Sequence, residues 1–283
     1  MATFFNQATL SFNGRLTNSN VTTGEILDVL DATKTALTAT YGANDNVVYM
    51  VNIVNSGNTA LTGITVSDDL GAYTVGENTV YPLTYEEGSV RLFINGTLQP
   101  TPTVTAGPPL VISGITVPQN SNASIVYEAR TNEFTPQAAE ATVVNTATVS
   151  ADGISDIVSQ ATVTAREDAN LTIAKAICPP VVTDNGEITY TFVIQNSGNT
   201  EAIATDNVIV TDTFTPILNP ISVTYNGTAW AEDTNYTYDE TTGEFATLPG
   251  EITVPAATYT QNAETGVVTV TPGVAVITVT GTV

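Results

Sequence analysis

The chain has 283 residues, 42% of them hydrophobic and 12% charged, and its six Lys plus Arg stand against 28 Asp plus Glu for a formal net charge of −22. A surface this acidic repels phosphate backbones and anionic lipid headgroups, which argues against nucleic acid and membrane as partners. There is no histidine and one cysteine, Cys178, so the usual general base, histidine metal ligation, cysteine-cluster metal sites and a disulfide within one chain are excluded.

Without a phosphate-binding glycine loop or a G-x-S-x-G elbow, no constellation for a turnover enzyme remains, and no cofactor is expected. Cys178 precedes Pro179 and Pro180 and reads either as a small residue at a strand-to-loop transition or as a thiol that meets another chain. The acidic stretches "SDDLGAY" and "YDETTGE" offer oxygen ligands of the kind calcium takes, but neither fits an EF-hand loop. The N-terminus has no basic region followed by an apolar one, and no apolar run is long enough to span a bilayer. Either export bypasses the general secretory route, or a leader lies outside this sequence.

Thr, Val, Asn, Gly and Pro are abundant and the apolar runs are short and alternating, which predicts an all-β chain with almost no helix. In chain order, the first feature is "FNQATLSFNG" at 5–14, a near copy of "VNTATVSADG" at 144–153, with Asn6 on Asn145 and Gly14 on Gly153, a constant offset of 139. Next, "VYMVNIVNSGNTALTGITVSD" at 48–68 aligns with "TYTFVIQNSGNTEAIATDNVIVTD" at 189–212; Lys34 falls on Lys175, Tyr49 on Tyr190, and after a short insertion Asp68 on Asp212. "SVRLFINGT" at 89–97 and "SVTYNGT" at 222–228 share an Asn-Gly turn, a hairpin signal. "VAVITVTGTV" at 274–283 matches the "SIVYEA" strand of the first repeat, and residues 141–165 then have no counterpart except the opening segment.

The expected architecture is two tandem immunoglobulin-like β-sandwich domains, repeat 1 over 29–166 and repeat 2 over 167–283, with an N-terminal donor strand segment over 1–28. Repeat 2, expected to lack its last strands, would expose a sheet edge that the opening segment of another copy could fill. Such a head-to-tail contact propagates as an open filament unless it closes a ring. The alternative is that the segment folds back within its own chain or extends a sheet of repeat 1.

The chain's two lysines, Lys34 and Lys175, occupy matched positions in the apparent first strand of each repeat. An inward lysine needs a partner. Asp68 and Asp212 end matched central strands, and Asn145 and Asn6 each begin an N-x-A-T motif. Two readings stand. A buried Lys, Asp and Asn can form a Lys–Asn isopeptide bond, with Asp68 and Asp212 as proton shuttles and Lys34, Asn145, Lys175 and Asn6 as the cross-linked residues. Otherwise the site is a buried ion pair with a hydrogen-bonded Asn.

At "YMVNIVNSGNT" and "YTFVIQNSGNT", "VSD" and "VTD", and "VNTATV", the sequence resembles the bacterial conserved-repeat family called domain of unknown function eleven and the isopeptide-forming domains of fimbrial proteins. It departs from the repeat at Gln7, where repeat 1 has Thr146. The resemblance implies an extracellular, all-β, structural or adhesive role on a bacterial cell or spore surface, similar to clostridial spore-appendage subunits that associate with copies of themselves. The alternative function is an adhesin or a ligand- or calcium-binding module, with Trp230 and the tyrosines of "TNYTYDE" as candidate contacts.

Overall fold

In the computed structural model, residues 2–26 and 29–283 are described. The expected boundary at residue 28 falls on 27–28, outside the described residues. The chain is nearly all β, with one 3₁₀ turn at Ala204–Asp206, and among the described residues no helix is long and apolar enough to cross a membrane.

The opening segment holds β1 (Ala2–Asn6), β2 (Thr9–Phe12), β3 (Arg15–Asn18) and β4 (Thr22–Ile26). The first sandwich contains β5 (Leu30–Ala36), β6 (Thr40–Tyr41), β7 (Asn46–Asn55), β8 (Leu61–Asp68), β9 (Tyr73–Val75), β10 (Asn78–Val80), β11 (Leu83–Tyr85), β12 (Arg91–Ile94), β13 (Thr97–Leu98), β14 (Thr103–Thr105), β15 (Leu110–Val117), β16 (Ser121–Thr131), β17 (Thr142–Ala151) and β18 (Ile154–Ala165). The second contains β19 (Leu171–Cys178), β20 (Glu187–Asn196), β21 (Thr211–Thr213), β22 (Ile221–Tyr225), β23 (Thr228–Trp230), β24 (Tyr236–Tyr238), β25 (Glu244–Thr247), β26 (Thr258–Gln261), β27 (Val268–Thr271) and β28 (Gly273–Thr282).

Period-two alternation builds the first core. Val47, Tyr49, Val51 and Ile53 of β7 and Ala123, Ile125, Tyr127 and Ala129 of β16 are fully buried, and antiparallel pairing sets Tyr127 opposite Tyr49, their rings stacked 5.7 Å apart. These strands belong to the sheet β13-β12-β16-β7-β5, which faces the sheet β14-β15-β8-β17-β18-β6. Gly114, at φ 78°, takes up a bulge that keeps both Ile112 and Ile115 buried.

The second sandwich repeats the five-strand path of the first sheet as β19-β20-β28-β22-β23, without a counterpart of β11, and among the described residues it is faced by β21-β25-β24. In both repeats the NSGNT stretch is a loop clamp. Asn55 Nδ2 donates to the Thr59 carbonyl at 2.8 Å while its Oδ1 accepts Gly57 N–H at 3.0 Å; Asn196 makes the same contacts with Thr200 at 2.7 Å and Gly198 at 2.9 Å. A satisfied buried amide closing a turn accounts for the shared motif without any chemistry. The β26–β27 hairpin reaches the first sandwich: Gln261 Nε2 donates to the Tyr73 hydroxyl at 2.6 Å, and Val268 N–H to the Glu133 carbonyl at 2.8 Å.

The opening segment is one long hairpin, β1 on β4 and β2 on β3, interrupted at Gln7–Ala8 and Ser19–Val21. It copies the register of β17 on β18. Asn6 pairs Thr22 as Asn145 pairs Ala161, Phe5 pairs Thr23 as Val144 pairs Thr162, and Phe12 pairs Arg15 as Ala151 pairs Ile154. Yet its side chains lie open: Phe4 is 53% exposed, Leu10 64% and Phe12 69%. Its hydrogen bonds among the described residues stay within the hairpin, such as Ala8 N–H to Ser19 Oγ at 2.9 Å.

Candidate functional site

Three strands of the first sandwich converge on one buried polar cluster. Lys34 lies on an inward position of β5, between the buried Ala32 and the half-buried Ala36, Asp68 ends β8, and Asn145 lies on β17 where Ala147 pairs Asp68. The Lys34 and Asp68 side chains are fully buried and paired through Asp68 Oδ2. The same oxygen accepts the Tyr127 hydroxyl, and Leu70 N–H donates to Oδ1 at 3.1 Å. Asn145 Nδ2 donates to the Tyr127 oxygen at 3.4 Å, and Gly71 N–H donates to Asn145 Oδ1 at 3.2 Å. Gly71 is required there: its φ is +73°, and a Cβ would stand 2.7 Å from Val143 Cγ1.

Burial pushes the Lys34 ammonium below the usual lysine range, against the opposing pull of Asp68. Its Nζ lies 4.8 Å from the Tyr49 ring centroid and 5.9 Å from that of Tyr127. Burial, then the Asp68 charge, raises the Tyr127 hydroxyl well above the ordinary phenol range, so it remains a proton donor. Tyr49, shifted upward chiefly by burial as well, neighbours Asn145, but its buried hydroxyl completes no hydrogen bond of acceptable geometry.

The second sandwich brings Lys175 and Asp212 together in the same way, through Asp212 Oδ2, with Lys175 Nζ 4.4 Å from the Tyr190 centroid and 5.4 Å from that of Phe214. Here the pair is open, with side chains 40% and 19% exposed against 0% for both in the first site. The cause is topological. In the first sandwich β8 is flanked by β15 and β17, and β18 packs over β5, its Ser159 Oγ accepting Lys34 N–H at 2.8 Å. Among the described residues β21 pairs only β25. The β19 face that matches the buried face of β5 therefore shows Ile173 at 57% and Ile177 at 42% exposure, and a groove of about 490 Å³ opens along Thr211–Thr213.

Of the six residues singled out from sequence, the structure joins Lys34, Asp68 and Asn145 in one site and Lys175 with Asp212 in another, and leaves Asn6 on the hairpin. Sequence reasoning missed Tyr127 and Gly71. The inward phase of β16 marked Tyr127 as facing Tyr49, but the repeat has Val279 opposite Tyr190, so comparing the copies hid it.

Other candidates resolve into local structure. Asp69 Oδ1 accepts Gly71 N–H at 2.9 Å and Thr146 N–H at 2.8 Å; Asp239 Oδ1 caps its own turn through Thr241 N–H at 2.7 Å. No group of three or more acidic or cysteine side chains among the described residues is placed to hold a metal ion. Trp230 stacks on Tyr225 with centroids 4.9 Å apart, and Tyr236 and Tyr238 pack in the second core. Cys178 is exposed at the end of β19.

No protein-family model matches the chain, and no curated protein matches it by sequence. Solved structures do. The chain is similar to a 35 kDa C-terminal fragment of the major pilin of Streptococcus agalactiae, at 12% identity and a TM-score of 0.37, covering 52% of this chain and 58% of that one. It is similar to the major pilin subunit of Bacillus cereus at 13% identity and a TM-score of 0.38, covering 74% and 68%. A collagen-binding domain from a Staphylococcus aureus adhesin matches at 15% identity and a TM-score of 0.31, over 50% of this chain and 99% of that one. Likeness of this degree leaves the functional argument to the geometry of the chain itself.

Proposed function

We propose that the chain is a structural subunit of an extracellular bacterial filament that assembles head to tail, the hairpin β1–β4 of one copy completing the second sandwich of the next. The observation that carries this reading is the pairing of an exposed hairpin, built in the register of β17–β18, with a sandwich whose matching position no described strand fills. Unpaired strand edges and uncovered apolar faces draw such a partner, and a heterologous contact of this kind propagates. The motif resemblance supports placing the filament on a cell or spore surface.

The first sandwich closes itself by an amide between Lys34 and Asn145. Lys34 passes a proton to Asp68 and its neutral nitrogen attacks Asn145 Cγ, while Gly71 N–H holds the oxygen on which negative charge develops. The departing nitrogen takes the Asp68 proton through Tyr127, which bridges the two, and Asp68 recovers a proton from the attacking nitrogen. One C–N bond forms, one breaks, and ammonia leaves. Tyr127→Phe should slow this step by roughly 10²-fold or more, the scale of a lost proton-transfer group. Freshly purified variant would then be a mixture of bonded and unbonded chains by intact mass, converting on standing, whereas the wild type would be fully bonded.

Negative-stain microscopy of the purified chain tests assembly. Filaments that lengthen with protein concentration are expected, and a monomer at every concentration would refute it.

A further inference from the structure

We infer that Asn6 is the amide partner of Lys175 in a second copy of the chain, so that neighbouring subunits become covalently joined. The inference rests on the hairpin donation proposed above and adds a bond that donation alone does not require.

Three observations converge. Lys175 and Asp212 reproduce the Lys34 and Asp68 arrangement, paired through Oδ2 with the lysine nitrogen over the tyrosine ring of the next strand. The first site is completed by Asn145, two residues before Ala147, which pairs Asp68 on the β8 edge; the hairpin carries Asn6 two residues before Ala8, with Asn6 paired to Thr22 as Asn145 is to Ala161. Seating the hairpin against β21 in that register puts Ala8 opposite Asp212 and Asn6 at the missing third corner. Finally, the second pair is 40% and 19% exposed where the first is sealed, while the hairpin's hydrogen bonds are confined to itself among the described residues. The site is open, and its matching strand lies on a detached element.

The step balances without any co-reactant. Lys175 gives a proton to Asp212, its nitrogen bonds to Asn6 Cγ, and the Cγ–NH₂ bond breaks. Ammonia leaves with the Asp212 proton, and Asp212 takes one back from the new amide nitrogen. Docking must come first, because water has to leave the pair before amine and amide meet. One aid present in the first site is absent here: Val279 stands at the register of Tyr127. The bond between subunits therefore forms more slowly than the bond within the first sandwich, leaving time for misdocked hairpins to dissociate.

The test uses full-length filaments assembled from an equal mixture of ¹⁵N-labelled and unlabelled chain, boiled in detergent and digested. Wild-type filaments should run as a ladder above the monomer and yield a peptide joining Lys175 to Asn6, lighter by one ammonia, with half of these peptides carrying one labelled and one unlabelled arm. Asn6→Ala and Lys175→Ala filaments should look normal by microscopy yet run as monomers. Wild-type filaments that run as monomers would overturn the bond while leaving hairpin donation standing. Joined peptides with both arms always of one isotope would place the bond within one chain and overturn it also. Absence of filaments would overturn donation, and this inference with it.

Discussion

Asn145→Ala should leave a folded first sandwich that no longer loses ammonia and melts roughly 10–20 °C below the wild type, the shift expected when a cross-link closing a loop of ~100 residues, worth about 4–5 kcal/mol, is removed. This substitution is more informative than Lys34→Ala. It takes away the amide carbon and keeps the Lys34 and Asp68 pair, whereas removing Lys34 also strands a buried carboxylate at a cost of about 3–5 kcal/mol. Both variants should show an intact mass one ammonia above the bonded chain after allowing for the substitution. If Lys34 and Asn145 were only hydrogen-bonded neighbours, Asn145→Ala would cost about 1–3 kcal/mol and the wild-type mass would show no loss. Mass spectrometry of denatured protein beside a calorimetric scan separates the two cases.

Removing residues 1–26 should abolish filaments altogether and leave a soluble monomer with an unsatisfied second sandwich. Phe4, Leu10 and Phe12 take the positions of Val143, Val149 and Ala151 on β17, where the first sandwich buries or half-buries its side chains. Burying each apolar side chain contributes roughly 1.5–3 kcal/mol, so a synthetic peptide of residues 1–26 should bind the truncated chain and raise the melting transition of its second sandwich. Filaments from the truncated chain, or no shift with peptide, would refute donation.

The all-β class and the paired sandwiches were legible because each core strand alternates cleanly, as in "NVVYMVNIVN", and because duplication lets one repeat annotate the other. Lys34, Asp68 and Asn145 could be grouped for the same reason. Tyr127 could not, since Val279 in the second copy erased the comparison. The β26–β27 hairpin and its contacts to Tyr73 and Glu133 have no matched partner in the first repeat and depend on packing between distant segments, which local pattern does not encode. NSGNT was legible as a repeat marker, but its role as a clamp came only with the carbonyls that Asn55 and Asn196 reach. The hairpin's agreement with β17–β18 required pairing partners, including a turn with Asn13 at φ 48° and Gly14 at φ 75°.

Lys34 and Lys175 both lie on the first strand of their sandwiches, β5 and β19, and this decides how a pulled fibre would bear tension. With both amides in place, a continuous covalent route enters a subunit at Asn6, follows the backbone to Lys34, crosses to Asn145, runs on to Lys175 and passes to Asn6 of the next subunit. Residues 35–144 hang off that route as an unloaded loop, and residues 1–5 and 176–283 as unloaded ends. The strands between 35 and 144 would then be shielded from tension, and extending the fibre would mean pulling on the donated hairpin within 6–34 and on β17, β18 and β19 within 145–175, while the rest of the first sandwich stays closed by its amide.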